Sequence, residues 1–404
     1  MTLPLIIYRS LRQHSLSTLV TAGSIALAAG LLMCVWVVKT QSQAAFRDTA
    51  TSYDAVLGAR GSKLQLVLNA IFHLEASPGN LPFSDYEAIK RHPAVKTAIP
   101  IAVGDNLRGY RIVGTVPELF DRVEYAAGKK FSVEAGGRFF AAEASEAKEA
   151  VVGSFAAERL GLKVGDTFHP FHGLAYNEKE RHAELYTVIG ILSPTNTPAD
   201  RVIWISLQGV QRMSGHDPKA ASDISAVLIQ LRAPTAGIML DLLYNKQGNR
   251  LTFAYPVGTI VADLFGKIAW FDRVLTLVAY LVALVAAGSV LASIYNSMSA
   301  RQRDLAILRS LGARRRTIFG AVVAEAAVIG LLGSVAGLAI YFALISGVTA
   351  LIRAQTGVVL SAMAWHQVLA ICPAAMIGLC ALGGVVPALK AYRIPVAETL
   401  APVS

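Results

Sequence analysis

Four stretches of the chain lack charged residues over lengths that cross a bilayer: Ser15–Val38, Val274–Ala300, the run after Glu325 to Ile352, and Gln367–Leu389. At about 20 residues per crossing, each predicts a transmembrane helix. The third begins near Thr317 and carries Glu325 within its first turns. Between the first and second spans lies a large segment, about Lys39–Ile268, whose pattern is that of a folded domain. Strand-like runs occur there at Val95–Val103, Tyr110–Val116, Ala150–Gly153, Leu185–Leu192, Val202–Ser206 and Ser225–Leu231, with a final strand at Leu251–Tyr255. Ser84 and Glu87 have the spacing of a capping box, predicting a helix from Ser84 to about Arg91 that ends before Pro93. Gly237–Tyr244 reads as a second helix. Strand, helix and strand in this order predict an α+β domain of split βαβ units with the helices on one face of a sheet.

Flanking stretches, Thr40–Tyr53 and Val261–Arg273, predict outward prolongations of the first two spans as a helical stalk. A charged stretch, Ala141–Glu149, reads as a solvated surface helix or loop.

Composition agrees with a membrane protein. Apolar residues make up 54% of the 404, charged ones 16%, and the mean hydropathy is +0.50. Charge then sets orientation. Arg9 and Arg12 precede the first span, six arginines occupy the loop after the second, and Lys390 and Arg393 follow the fourth. Only Asp304 and Glu398 oppose these ten cations, so +8 of the net +10 lies on three short segments. The positive-inside rule puts all three, and hence both termini, in the cytoplasm. The basic balance is therefore a topology signal, and no patch suited to nucleic acid accompanies it. Ser15–Val38 could also be a cleaved signal peptide, with Ser42-Gln43-Ala44 as cleavage site, but 24 uncharged residues exceed the usual apolar region and favour an anchor.

Candidate chemistry is sparse. The three cysteines, at 34, 372 and 380, fall inside predicted spans and read as apolar packing residues. No G-x-x-x-x-G-K-[ST], G-x-S-x-G or H-E-x-x-H occurs; Gly58–Lys63 resembles a phosphate loop only in composition. Catalysis is not expected on this chain, and no cofactor or metal is expected to bind it. Six of eight histidines lie in the large domain; His169, His172 and His182 read as isolated surface or turn residues, since a metal needs three or four converging ligands. Asp54–Leu68 looks specialised, either as a cargo or adaptor surface or as the opening of the domain core.

The most informative segment is Arg301–Ala313, RQRDLAILRSLGA. Leu305, Leu308 and Leu311 fall near one helical face, with Ile307 at its border, and Arg301, Arg303 and Arg309 surround it. Gly312 stands where a helix needs left-handed geometry to end. Charge alone would suit an ordinary connector; the leucine spacing and the Gly312-Ala313 ending favour a helix gripped by a partner. In the third span Glu325 is the ionisable residue inside the apolar helices, and Gly333 and Gly337 form a G-x-x-x-G. These three suit coupling or close helix packing, within the chain or between subunits.

Arg301–Ala313, the arginines 314–316 and Glu325 resemble the permease segment of the MacB/LolC/LolE/FtsX superfamily of ABC transporters. Pro387-Ala388, Arg393–Leu400 and Tyr8–Arg12 are similar to that family's ends. Gly137–Phe139, Ala150–Gly153, Leu160–Asp166 and Tyr186–Leu192 follow the order of MacB-like periplasmic core domains. The resemblance implies an α-helical membrane protein with four transmembrane helices plus a large α+β periplasmic domain between the first and second. Its divisions would be a cytoplasmic amphipathic segment (1–14), a first span (15–39), a periplasmic core with stalk ends (40–268), a second span (269–300) and a cytoplasmic coupling helix (301–316). A third span (317–352), a short periplasmic loop (353–366), a fourth span (367–390) and a cytoplasmic tail (391–404) would follow.

What the resemblance further implies is a permease subunit in the bacterial inner membrane. Because the chain begins almost at its first span, the ATPase is expected as a separate cytosolic protein, as in LolC and LolE systems, in two copies beneath a permease homodimer. ATP and Mg would bind that partner. Arg301, Arg303, Asp304, Leu305, Ala306, Leu308, Arg309, Leu311, Gly312 and Ala313 would be the ATPase contact, with the apolar anchors in a groove and the charges at its rim. Motion would reach the outer domain and extrude or release a lipoprotein, peptide or small molecule, with a periplasmic adaptor or lipoprotein as a further partner. The alternative is an FtsX-like regulator that activates a cell-wall hydrolase.

Overall fold

The Val95–Leu107 strand continues through a glycine that would ordinarily end it, and the large domain is organised around that strand. The computed structural model describes all residues except 1–2, 142–147, 216–221, 301–306, 308–309, 311, 357–360, 362 and 393–404. The chain divides into two units. One comprises Ser42–Ile268 with Leu351–Leu360; the other comprises Met1–Gln41, Ala269–Ala350 and Ser361–Ser404.

The first unit holds one sheet of ten strands: β1 Ala55–Ala59, β2 Val95–Leu107, β3 Tyr110–Thr115, β4 Glu149–Val152, β5 Thr167–Phe168, β6 Phe171–His172, β7 Tyr186–Ile191, β8 Ile203–Ser206, β9 Ala226–Leu231 and β10 Leu251–Ala254. Their order is β10-β1-β9-β2-β3-β8-β4-β7-β5, with β6 paired to β2. β3 with β8 and β4 with β7 are parallel, and the other pairings are antiparallel. A parallel neighbour requires a crossover, and the helix Ser154–Leu160 lies on the connection from β4 to β7.

The one-face expectation for the helices is corrected. Alternate residues of a strand point to opposite faces, and here both faces are buried. Ile203 and Ile205 join one apolar cluster with Ala156, Leu207, Val210 and Leu240; Trp204 joins another with Leu66, Val67, Leu119 and Phe120. Helices therefore cover the sheet on both sides, giving a three-layered α/β domain. Each fully buried Ile, Leu or Phe contributes about 1.5–3 kcal/mol, so two such layers stabilise the domain without disulfides; its cysteines lie elsewhere, at 34, 372 and 380.

Two further expectations change. The helix spans Phe83–Lys90 and is preceded by Pro82, without a side-chain cap. Ser84 lies inside the helix, so the Ser84/Glu87 capping box does not form. Leu81–Pro82 pairs with Asp223–Ile224, which delivers an extended chain to the helix start. The segment 54–68 resolves into β1, a Ser62 side chain that caps Gln65 N–H, and the helix Lys63–Ala70, with Leu57, Leu66 and Val67 buried. It is the opening of the domain core.

The second unit is helical. Its helices are α1 Leu3–Gln13, α5 Val368–Tyr392 and the greater part of α2 Ser15–Thr51, α3 Val257–Ala300 and α4 Arg315–Thr356, whose residues 42–51, 257–268 and 351–356 belong to the first unit. Among the described residues, Ser15–Thr51, Arg315–Thr356 and Val368–Leu389 are long and apolar enough to cross a membrane. In α2 the hydroxyls of Thr21, Ser24 and Thr40 donate to the carbonyls of Ser17, Val20 and Trp36, one turn back. An apolar helix can carry such groups because its own backbone satisfies them.

Candidate functional site

Small residues determine how closely the spans approach. A Cβ built on Gly333 of α4 would lie 2.6 Å from Ile25 Cβ and 2.9 Å from the Ala22 carbonyl of α2. One built on Gly337 would lie 3.0 Å from Ala29 Cβ, and one on Gly30 only 2.9 Å from the Gly337 carbonyl. The G-x-x-x-G of α4 is thus occupied by α2 of the same chain. On the other flank, a Cβ built on Gly330 would lie 3.0 Å from Cys380 Cβ of α5, and one on Gly384 of α5 would lie 2.7 Å from Ala326 Cβ. Without side chains at these points the backbones pack by van der Waals contact, the main attraction between helices in lipid.

Glu325 lies on the same helix, ten residues from its start. The Ser10 hydroxyl of α1 donates a hydrogen bond to Glu325 Oε1, and Ser10 is buried. The carboxyl therefore ties α4 to the amphipathic N-terminal helix, a use of Glu325 that sequence spacing did not reveal.

Of the expected ATPase contact, Arg301, Arg303, Asp304, Leu305, Ala306, Leu308, Arg309 and Leu311 lie outside the described residues. Ile307 and Ser310 are helical, and the Ser310 hydroxyl donates to the Ile307 carbonyl at 2.8 Å. Gly312 has φ +96°, in the left-handed region, and Ala313 follows it before α4 begins at Arg315. A glycine there ends a helix at no steric cost.

In the large domain two of the three histidines are not isolated. A register shift in the β2–β3 pairing between Val103 and Asp105 marks a bulge, which lets β2 run past Gly104 to Leu107. Bulges re-aim side chains, and this one buries Asp105 completely. His172 is its register partner on β6. His182 Nε2 lies 3.1 Å from Asp105 Oδ1, and His172 Nδ1 lies 3.5 Å from the same oxygen. His182 Nδ1 is 2.6 Å from the Ser214 carbonyl. Ser214 is held in turn by Glu184, whose two oxygens accept its N–H and its hydroxyl at 2.9 and 2.8 Å. Burial works against ionisation of Glu184, yet these two bonds hold its carboxyl below the usual range. Asn106 clamps the β6 loop, donating from Nδ2 to the Phe171, Gly173 and Ala175 carbonyls. Asp105 carried no sequence signal, being 77 positions from His182. His169 is elsewhere, with Nδ1 2.8 Å from the Glu184 carbonyl.

A polar pocket of about 240 Å³ is lined by His73, Tyr110, Arg111 and Arg201 among others. Burial, and then the Arg111 and Arg201 charges, push His73 down to about 3. Its ring packs edge-on against Trp204, 5.6 Å between centroids.

Comparison with known families assigns both parts of the chain. Residues 18–237 match the MacB-like periplasmic core domain and residues 276–396 the FtsX-like permease C-terminal domain. Among solved structures, the periplasmic region of MacB from Actinobacillus actinomycetemcomitans is 13% identical, with a TM-score of 0.36, covering 53% of this chain and 94% of that one. The extracellular domain of the noncanonic ABC-type transporter YknZ from Gram-positive bacteria is 16% identical, with a TM-score of 0.32, covering 49% and 97%. Comparison with curated proteins returns no match. Apolar helices long enough to cross a membrane, a large α/β domain and two family matches in sequence order fit one conclusion: this chain belongs to the MacB/FtsX-type superfamily of ABC transporter permeases.

Proposed function

We propose that the chain is the permease subunit of an ABC transporter complex in the bacterial inner membrane, crossing it four times with both termini in the cytoplasm. The α3 helix supplies the fourth crossing and contains the apolar segment Thr276–Val285. Two copies of a separate cytosolic ATPase bind a permease homodimer through Arg301–Ala313, and ATP and Mg reside on that partner. Its closure moves the coupling segment, and α2 and α3 transmit the movement to the periplasmic core. The core then extrudes or releases a substrate from the periplasm or the outer leaflet, with a periplasmic adaptor or lipoprotein as the receiving partner. The observation that carries this reading is the union on one chain of a MacB-like core domain and an FtsX-like permease domain.

The support from packing is mechanical. α4 is tied to α1 through Ser10 and Glu325, and to α2 and α5 through side-chain-free seams, so a push on the segment before Arg315 meets a helix with rigid neighbours. Such switches move packed elements as bodies.

Topology provides the test. A cysteine placed at Ser310 should react with a membrane-impermeant maleimide in inverted vesicles and stay unlabelled in intact spheroplasts, while one at Lys179 should do the reverse. Capture of the full-length chain from membranes should retain an ABC ATPase. Labelling of position 310 in spheroplasts, or capture without an ATPase, overturns the reading.

A further inference from the structure

Nothing in the permease reading uses the buried carboxylate and paired imidazoles of the large domain. His182 Nδ1 faces a carbonyl oxygen, which only accepts, so that nitrogen carries the proton. Nε2 of the same ring lies 3.1 Å from Asp105 Oδ1. A second imidazole nitrogen, His172 Nδ1, closes on the same oxygen. Two imidazole nitrogens and a wholly buried carboxylate oxygen thus converge on one point.

The arrangement has the form of a metal site. The three donor atoms all lie within 4.8 Å of one another. Zinc bonds of about 2.0–2.1 Å in a tetrahedron place neighbouring ligands about 3.3 Å apart; the 3.1 and 3.5 Å separations at Asp105 bracket that value. Metal-bound histidines commonly donate their other N–H to a backbone carbonyl, which fixes the ring and its tautomer. His182 does so to Ser214, and Glu184 fixes Ser214. Two imidazoles with one carboxylate suit zinc and its neighbours, whereas calcium and magnesium prefer oxygen ligands throughout.

We propose that Asp105, His172 and His182 bind a divalent transition-metal ion of the zinc type. The site draws on three stretches of chain, the β2 bulge, β6 and the loop before β7, and clips them together. It is also reachable. His182 and Asp105 are 4% and 0% exposed, but the His172 side chain is 49% exposed and lines an open cleft of about 310 Å³ together with Gly104, Gly215 and Ser225. The ion enters from that side and keeps its fourth position there for water or an external ligand.

The test uses the purified full-length chain in detergent, stripped with chelator and titrated calorimetrically with zinc chloride alone. One zinc per chain binds at micromolar concentration or below, and X-ray absorption shows two imidazole nitrogens plus oxygen at about 2.0–2.1 Å. His182→Ala and Asp105→Asn remove buried partners and can unfold the domain, so the decisive variant is His172→Gln, whose side chain is half exposed. It lowers zinc affinity at least tenfold and leaves circular dichroism and thermal unfolding of the zinc-free protein unchanged. His92→Gln, outside the cluster, binds as the parent does. No heat at zinc up to about 100 µM, or a loss under tenfold in His172→Gln, overturns the proposal.

Discussion

Ser10 and Glu325, 315 positions apart, are joined by a hydrogen bond from the serine hydroxyl to Glu325 Oε1. A hydroxyl–carboxyl bond of this kind contributes about 1–3 kcal/mol, and a lone polar group left in an apolar setting costs a similar amount. Ser10→Ala and Glu325→Ala should each lower the thermal stability of the detergent-purified chain, and Glu325→Gln, which keeps an acceptor, should lower it less. In a double-mutant cycle the two alanine costs should fall short of additivity by at least about 0.5 kcal/mol. Strict additivity would show that the two residues do not act on each other.

The seam between α2 and α4 makes a sharper demand. Because a Cβ at Gly333 would meet Ile25 Cβ at 2.6 Å, Gly333→Ala forces the helices apart and should cost about 1–3 kcal/mol. The cost should shrink when Ile25 is also changed to Gly, which removes both the Cβ and the Cγ2 that would lie 2.6 and 2.7 Å away. Thermal unfolding of the four proteins measures it. An equal cost in both backgrounds would mean that Ile25 is not what Gly333 accommodates.

His73 gives a pH signature. Its folded value is pushed to about 3 against an ordinary 6.5, so between these values the unfolded chain binds a proton that the folded chain does not. Stability is therefore retained near neutrality and is lost as pH falls from about 6.5 toward 3, by up to about 1.4 kcal/mol per unit. His73→Asn keeps a residue tolerant of the positive φ of 55° and removes the titrating group. Denaturant unfolding at pH 6 and pH 5 should show a shallower loss in the variant; identical slopes would assign the acid sensitivity to other groups.

Three of the four expected spans and most strands were legible because each depends on local composition. Tyr186–Ile191 and Ala226–Leu231 are apolar runs whatever they pair with. Two-sided burial was not legible, since Ile203 and Trp204 look alike in sequence and only the fold sends them to opposite layers. The end assigned to β2 at Val103 failed for a related reason: Gly104 marks a bulge here, and the strand resumes. The capping box failed because Leu81–Pro82 is held by Asp223–Ile224, a pairing remote in sequence. For the site, glycine spacing in α4 pointed to close packing and the structure supplies α2 as its partner. Asp105 with His182, and Ser10 with Glu325, are contacts across long separations that no motif encodes.

The central claim is that an ATPase on another chain drives this permease through its cytoplasmic leucines. The direct measurement is ATP hydrolysis by the reconstituted complex, comparing the parent with a Leu305→Ala, Leu308→Ala double variant. Removing two apolar anchors from a groove contact should cost several kcal/mol of binding, so ATPase recruitment should fall at least tenfold and hydrolysis should drop to that of the ATPase alone. Recruitment and hydrolysis equal to the parent's would contradict the account.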